Sequence, residues 1–320
     1  MSLLTDVHDR IEQAREAPGC SSELHWTSFA EFFRSRLYDP RLVTRNFLTY
    51  CDDDRNLRRT YSYAEFGTIV ERMAEMFHAK FGLTRGDRIA TVLFNHDLTA
   101  LTYFAAWTLG VAVVPINVEE TPEKKRYILE HSEASVALCW QDVYEELKAL
   151  QSMLPALREV VALGDGGILD GKETRGKSRK NSHAVGARFA PGTSRLDDPA
   201  LIIYTSGTTG PPKGVILTVA NLLIDADAIA DRHGFGLTDR LMCVLPVHHV
   251  NGIVVTLMTP FYCKGSVVLN RKFKTGSFWR RLHEEQVTSV SVVPTLLEFL
   301  LDADEDLAAY RLDHFGGVIC

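Results

Sequence analysis

Residues 200–218 read ALIIYTSGTTGPPKGVILT, in which two apolar strand segments flank a polar loop. The glycines of this loop permit tight turns and a close approach of a ligand to the backbone. Its four hydroxyls and its backbone N–H groups are donors for phosphate oxygens, and a lysine adds positive charge at the far end. The segment therefore predicts a loop that binds a polyphosphate. Its residues are Thr205, Ser206, Gly207, Thr208, Thr209, Gly210, Pro211, Pro212 and Lys213.

The pattern differs from the P-loop of kinases and GTPases, which requires G-x-x-x-x-G-K-[ST] at the start of a helix. Counted from Gly207, the second glycine position is Pro212, and Gly214 follows the lysine. Pro211 and Pro212 also lack the N–H groups that such a cradle uses. A simple hairpin turn needs neither the run of hydroxyls nor the lysine, so we favour a phosphate loop of another kind.

Outward from this loop, short apolar strands alternate with amphipathic helices. This alternation predicts an α/β fold with layered subdomains, in which mostly parallel sheets are packed by helices. Ser62 and Glu65 have the spacing of a capping box before a helix that Gly82 ends, and Thr121-Pro122 begins another helix. Further helices are predicted at 97–109, 220–233, 276–286 and 295–302. Strands are predicted at 88–94, 111–116, 135–140, 158–163, 201–204, 241–245, 265–269 and 289–293.

The domain division predicted from composition has three parts. Residues 1–163 form a first α/β subdomain region, and residues 199–320 form a second region that starts with the phosphate loop. Residues 164–198 are rich in glycine, serine and basic residues and lack apolar periodicity, so we expect a flexible basic connector.

Charge and cysteine content exclude several classes of protein. A net charge of −6 over 320 residues makes nucleic acid and anionic membrane poor partners. None of the six cysteines forms a C-x-x-C pair, so we expect reduced cysteines and no protein-bound metal site.

Two uncharged runs, 99–118 and 241–263, reach the length of a membrane span. Each contains proline or glycine and a strand-like segment, which favours a buried helix with a buried strand over a span. The N-terminus has no apolar core of signal-peptide length. We therefore expect a soluble, cytoplasmic protein.

The sequence TSGTTGPPKG resembles the signature loop of the AMP-forming acyl-adenylate synthetases, which include acyl-CoA ligases, adenylation domains of peptide synthetases and luciferases. Other segments resemble this family in the same order, so that the resemblance covers nearly the whole chain. They are TYSYAEF (60–66), residues 107–136, LPVHHVNG (245–252) and SVVPTLLEFLL (291–301).

The resemblance implies activation of a carboxylic acid by ATP to an acyl-AMP, followed by transfer of the acyl group to CoA. It places Thr205, Ser206, Gly207, Thr208, Thr209, Gly210 and Lys213 around the β- and γ-phosphates, with Lys213 as a catalytic residue. One lysine cannot offset the charge of ATP, so Mg²⁺ is expected.

The resemblance also implies an acyl pocket, with His249 as a catalytic residue near the substrate carboxylate. Amino-acid-adenylating relatives have an aspartate at this position, so histidine favours a fatty or aromatic acid. His248 replaces the usual aromatic residue. Further pocket candidates are Asn251, Gly252, Gly316 and Gly317.

Several segments of the family do not occur before Cys320, including the adenine-contacting segment, the ribose-binding aspartate and the C-terminal domain with its lysine. We therefore expect the truncated N-terminal portion of a longer ligase, without the C-terminal lid domain and weakly active or inactive. Two alternatives stay open: transfer to a carrier-protein thiol, and a non-catalytic fragment that binds nucleotide or acyl groups. A homodimer is also compatible with the sequence.

Overall fold

The computed structural model describes residues 24–164, 167–168, 194–205, 211–303 and 305–320. Most of the predicted connector and the loop residues Ser206, Gly207, Thr208, Thr209 and Gly210 lie outside these described ranges.

The described strands and helices follow one another in the alternation that the sequence predicts. The strands are β1 (Asn46–Asp52), β2 (Leu57–Ser62), β3 (Arg88–Val92), β4 (Ala112–Ile116), β5 (Val136–Trp140), β6 (Glu159–Gly164), β7 (Gly167–Ile168), β8 (Pro199–Thr205), β9 (Lys213–Thr218), β10 (Arg240–Cys243), β11 (Ser266–Asn270), β12 (Ser289–Ser291) and β13 (Gly317–Ile319). The α-helices are α1 (Phe29–Leu37), α2 (Tyr63–Phe81), α3 (Asp97–Leu109), α4 (Pro122–Ser132), α5 (Tyr144–Gln151), α6 (Val219–His233), α7 (Thr259–Tyr262), α8 (Thr275–Glu284) and α9 (Pro294–Leu301). A π-helix spans Asn251–Met258.

The strands form two mostly parallel sheets. The first has six strands in the order β13-β12-β10-β11-β1-β2, and the second has seven in the order β7-β6-β5-β3-β4-β8-β9. The antiparallel pairs among the described strands are β1/β2, β6/β7 and β8/β9. The predicted fold class is confirmed.

Local capping signals set the helix ends as predicted. Ser62 and Glu65 form a reciprocal capping box at the start of α2, and Gly82 ends it in the left-handed conformation at φ 64°. α3 ends at Gly110 with φ 73°, and α4 begins with Pro122 at its first position after the cap residue Thr121.

The two uncharged runs are buried elements of the fold. Residues 99–118 form most of α3 and all of β4, and residues 241–263 form most of β10, the π-helix and α7. Within the described residues, no helix is both long enough and apolar enough to cross a membrane.

The largest core cluster is rich in aromatic rings. α1, which the sequence did not reveal, places Phe29 and Phe33 against Phe104 of α3, and Phe33 also stacks on Phe261 of α7. All four rings are fully buried. This cluster joins helices from both halves of the chain.

The sheets do not follow the predicted regions 1–163 and 199–320. β1, from the first region, pairs with β11 of the second region and carries β2 at its other edge. β8 and β9, from the second region, extend the sheet of β3 to β6. The two sheets therefore interleave segments from both regions, because strand pairing is a long-range choice that local composition does not encode.

Candidate functional site

A cavity of about 790 Å³ opens where the carboxyl ends of strands from both sheets meet. Each lining residue is the last residue of a strand or follows one closely, which is where open α/β sheets bind ligands. The volume is in the range of small-molecule pockets. The lining comprises Asp52, Asp54, Arg55, Leu93, Phe94, Asn95, Asn117, Glu119, Val244, Leu245, Pro246, His248, His249, Arg271, Lys272, Phe273, Val293 and Leu296.

Asn95 fixes the floor of this cavity by joining three strand ends. Its side-chain Nδ2 donates to the carbonyls of Leu245 (2.9 Å) and Asn270 (3.1 Å). Its Oδ1 accepts from the N–H of Val247 at 2.8 Å. Because Asn95 follows β3 while its partners follow or end β10 and β11, this buried amide holds the two sheets together at the site.

The segment after β10 carries both predicted histidines into the cavity. The predicted strand 241–245 ends at Cys243 because the next residues leave the ladder to meet Asn95, and the Tyr103 hydroxyl donates to the Val247 carbonyl at 2.9 Å. The rings of His248 and His249 lie 4.3 Å apart.

Both histidines are held neutral near pH 7. Burial, and secondarily the neighbouring His249, lowers the pKa of His248 to about 4. Partial desolvation lowers the pKa of His249 as well, against a small opposing effect of Glu120, although its ring stays accessible from the cavity. The site therefore presents uncharged imidazoles, which can donate or accept a hydrogen bond.

The ends of the predicted phosphate loop are described as the tip of the β8/β9 hairpin. Thr205 and Lys213 are register partners, and both side chains are exposed. Neither residue lines the cavity.

Helix α4 contacts the tip end of this hairpin through a cluster of rings. The Tyr127 hydroxyl donates to the Pro212 carbonyl at 3.1 Å, and Nδ1 of His131 and the Tyr204 hydroxyl are 2.7 Å apart. Tyr204 lies over the register partner Gly214, where an added Cβ would come 3.1 Å from the Tyr204 ring. Gly214, which follows Lys213, is therefore glycine because a larger side chain would crowd the Tyr204 ring.

Four predicted pocket residues do not line the cavity. Asn251 Oδ1 accepts from Ser291 Oγ at 2.9 Å, and Gly252 packs so closely on Pro246 that a Cβ would lie 2.4 Å from the Pro246 carbonyl oxygen. Gly316 and Gly317 lie at the amino end of β13, opposite the carboxyl ends that form the site. The family motif locates these residues in the sequence, but it does not indicate at which end of a strand they lie.

The charged wall of the cavity was missed by sequence reasoning. Asp52, Asp54 and Arg55 follow or end β1, and Arg271 and Lys272 follow β11. The sequence signal for these residues is a polar residue directly after an apolar strand. This signal indicates a site only once the pairing of the strands is known.

A smaller cavity of about 160 Å³ adjoins this wall. It shares Asp52, Arg55, Phe94 and Arg271 with the larger one and continues towards Trp140. The guanidinium carbon of Arg271 lies 3.8 Å from the centroid of the Phe94 ring, so the arginine stands between the two cavities.

Among the described residues, no group of three or more His, Cys, Asp and Glu side chains is arranged to hold a metal ion. His248 and His249 accordingly have no third ligand in the described part of the chain.

Fold and site define an α/β protein with a cavity of small-molecule size where the carboxyl ends of strands from two sheets meet. The sulfoacetate–CoA ligase of Cupriavidus necator is 34% identical over 229 residues, which are 70% of this chain and 43% of that protein. The crotonobetaine/carnitine–CoA ligase of Salmonella paratyphi B is 27% identical over 246 residues, which are 76% of this chain and 47% of that protein. The crystal structure of ATP-bound MatB from Rhodopseudomonas palustris has a TM-score of 0.74 at 26% identity, covering 91% of this chain and 53% of that one.

The chain thus spans about half the length of these relatives. A family model described as AMP-binding enzyme matches residues 44–319. The chain belongs to this family of AMP-binding enzymes, as the loop motif predicted.

Proposed function

We propose that the protein activates a carboxylic acid with ATP to form an acyl-AMP and pyrophosphate, and then transfers the acyl group to CoA. The observation that carries the proposal is the family match over residues 44–319, which includes the strands that form the cavity and the β8/β9 hairpin. The two relatives described above are both CoA ligases, which supports the same reaction class.

The residues suit this chemistry. A carboxylate is a weak nucleophile, so the barrier falls mainly through positioning and through stabilisation of the leaving pyrophosphate. Lys213, exposed at the end of the hairpin beside Thr205, supplies positive charge for the β- and γ-phosphates. The remaining proposed contacts of the loop, Ser206 to Gly210, lie outside the described residues.

His249 is proposed to orient the acid. Because desolvation lowers its pKa, the imidazole is neutral and acts as a hydrogen-bond donor to the carboxylate rather than as a counter-ion. The acid keeps its negative charge and its nucleophilicity as it approaches the α-phosphorus.

Mg²⁺ is expected to enter with the nucleotide. The described residues offer no ready-made carboxylate cluster, and Mg²⁺ commonly binds through substrate phosphates and one or two carboxylates. We expect a chelator to abolish the reaction and added Mg²⁺ to restore it.

The acid is proposed to be fatty or aromatic rather than an amino acid, on the basis of histidine at position 249. Carboxylates do reach the cavity from other segments, at Asp52, Asp54 and Glu119. However, Asp52 lies 3.9 Å from Arg55, Asp54 contacts Lys272 at 2.7 Å, and Glu119 is solvent-exposed. The thiol of a carrier protein is the alternative acceptor, and the consumption of free CoA distinguishes the two.

The test is a screen of carboxylic acids for exchange of labelled pyrophosphate into ATP by the protein at its native length. Acid-dependent exchange supports the proposal and identifies the substrate. For residues 1–320 alone we propose weak nucleotide binding with little turnover, so efficient acyl-CoA formation by that chain would be contrary to expectation.

A further inference from the structure

Arg271 differs from the other cations on the cavity wall in having no acidic partner in the part of the chain that the structure describes. Lys272 contacts the Asp54 carboxylate at 2.7 Å, Lys274 contacts the same carboxylate, and Arg55 lies 3.9 Å from Asp52. Within the described residues, the Arg271 guanidinium makes no ion pair or hydrogen bond, although Asp52 lines the same two cavities. One half-buried positive charge therefore faces the cavity uncompensated.

The position of Arg271 is fixed without using its N–H groups. Its backbone N–H donates to the Cys51 carbonyl at 2.8 Å, and its guanidinium lies over the face of Phe94. Contact with an aromatic face leaves the edge N–H groups available, and a guanidinium edge matches carboxylate or sulfonate oxygens in a bidentate arrangement.

Arg271 lines the same cavity that is proposed to hold the acid. His248 and His249, proposed to lie near the reacting carboxylate, line the larger cavity together with Arg271. The neutral imidazoles do not compete for a second anion, whereas an unpaired cation in a partly desolvated cavity favours one.

We propose that Arg271 binds a second anionic group, a carboxylate or a sulfonate, at the far end of the acid substrate. This inference rests on the proposed function and narrows its fatty or aromatic acid to one that carries a second anionic group. Arg271 is then a specificity-determining residue.

The test compares acid-dependent pyrophosphate exchange for short dicarboxylates and sulfo-acids with that for monocarboxylic acids of the same length. We expect the wild-type protein to prefer the doubly anionic acids, and Arg271→Met to lower kcat/KM for them by about tenfold or more, because hydrogen bonds to charged groups are among the strong ones. Monocarboxylic acids should change little, and Arg271→Lys should restore part of the preference.

Lys274→Met is the matched control, since this lysine pairs with Asp54 and does not line the cavity. It should leave the preference intact, and circular dichroism and thermal melting check that each variant folds. Equal losses for both kinds of acid, or no preference in the wild type, would overturn the inference while leaving the reaction in place. In a separate assay of acyl-CoA formation, a loss seen only in the KM for CoA would also overturn it, because it would assign Arg271 to a phosphate of CoA. If no acid supports exchange, the proposed function itself fails.

Discussion

His248 is a buried titratable group beside a cavity, and its neighbours explain its state. Its ring loses hydration in the fold and lies 4.3 Å from the ring of His249, so that a proton on either ring disfavours a proton on the other. The two histidines are therefore neutral near pH 7. In acid, keeping them desolvated while they are protonated lowers the free energy of unfolding of the protein.

A pH-dependent stability follows with a definite sign. The pKa of His248 is about 4 in the folded protein, against about 6.5 for an unperturbed histidine. Between these values the unfolded chain binds more protons, so the free energy of unfolding falls as the pH is lowered through this window. We predict that His248→Gln reduces this slope by up to about 1.4 kcal/mol per pH unit, measured by urea unfolding at several pH values.

The control is Asn46→Ala, at an exposed position without a titratable group, whose slope should match that of the wild-type protein. Identical slopes for the wild-type protein and His248→Gln would refute the assignment. Carboxylates titrating in the same range contribute equally to both proteins and cancel in the comparison.

At the scale of elements, the site depends on how three strand ends are joined. Asn95 donates to two carbonyls and accepts from one N–H group at the buried floor of the cavity, where, among the described residues, the Leu245 carbonyl otherwise accepts only from Cys243 Sγ. This amide connects the sheet of β3 to that of β10 and β11, so its loss should loosen the floor of the cavity.

We predict that Asn95→Ala lowers the free energy of unfolding by about 3 kcal/mol, since each buried polar group left unpaired costs about 1–3 kcal/mol. Chemical denaturation measures the change. The matched control is Asn46→Ala, at an exposed position, which should shift stability by less than about 0.5 kcal/mol. A loss for Asn95→Ala no larger than that of the control would argue against the role of this amide.

The contact between α4 and the hairpin gives a second prediction at this scale. Tyr127→Phe removes the hydroxyl that donates to Pro212, just before Lys213, without changing the ring. We predict a raised KM for ATP in pyrophosphate exchange and a loss of about 1 kcal/mol in stability. Tyr144→Phe, in the next helix, should leave the KM for ATP unchanged, and an unchanged KM in Tyr127→Phe as well would mean that α4 does not position the loop.

Patterns local in sequence predicted much of the fold. Capping residues and terminal glycines gave α2, α3 and α4, and apolar runs gave most of the parallel strands. α1 and the β1/β2 hairpin were not predicted, because their apolar residues find partners far along the chain, as β1 does with β11.

The site was predictable to the same extent. The motif around His248 and His249 led to the cavity, but Asn95 and Arg271 acquire their places only through pairing between distant strands. Gly316 and Gly317 were chosen from the family resemblance alone, and the pairing of β13 with β12 places them at the end of the strand away from the site.

At the scale of the whole molecule, two sheets built from interleaved segments share one cavity. β1 and β2 cross to the sheet of β10 to β13, and β8 and β9 extend the other sheet to place Thr205 and Lys213 at the tip of its edge hairpin. The cavity therefore requires both sheets, and acid and nucleotide groups are proposed to be presented from different strand ends.

The most direct measurement is exchange of labelled pyrophosphate into ATP by the protein at its native length, with and without carboxylic acids, for the wild type and for Lys213→Ala. We predict that the exchange requires an acid. We also predict that Lys213→Ala slows it at least about tenfold, because the substitution removes a contact to a charged phosphate. Exchange that proceeds without any acid, or that is unimpaired in Lys213→Ala, would contradict it.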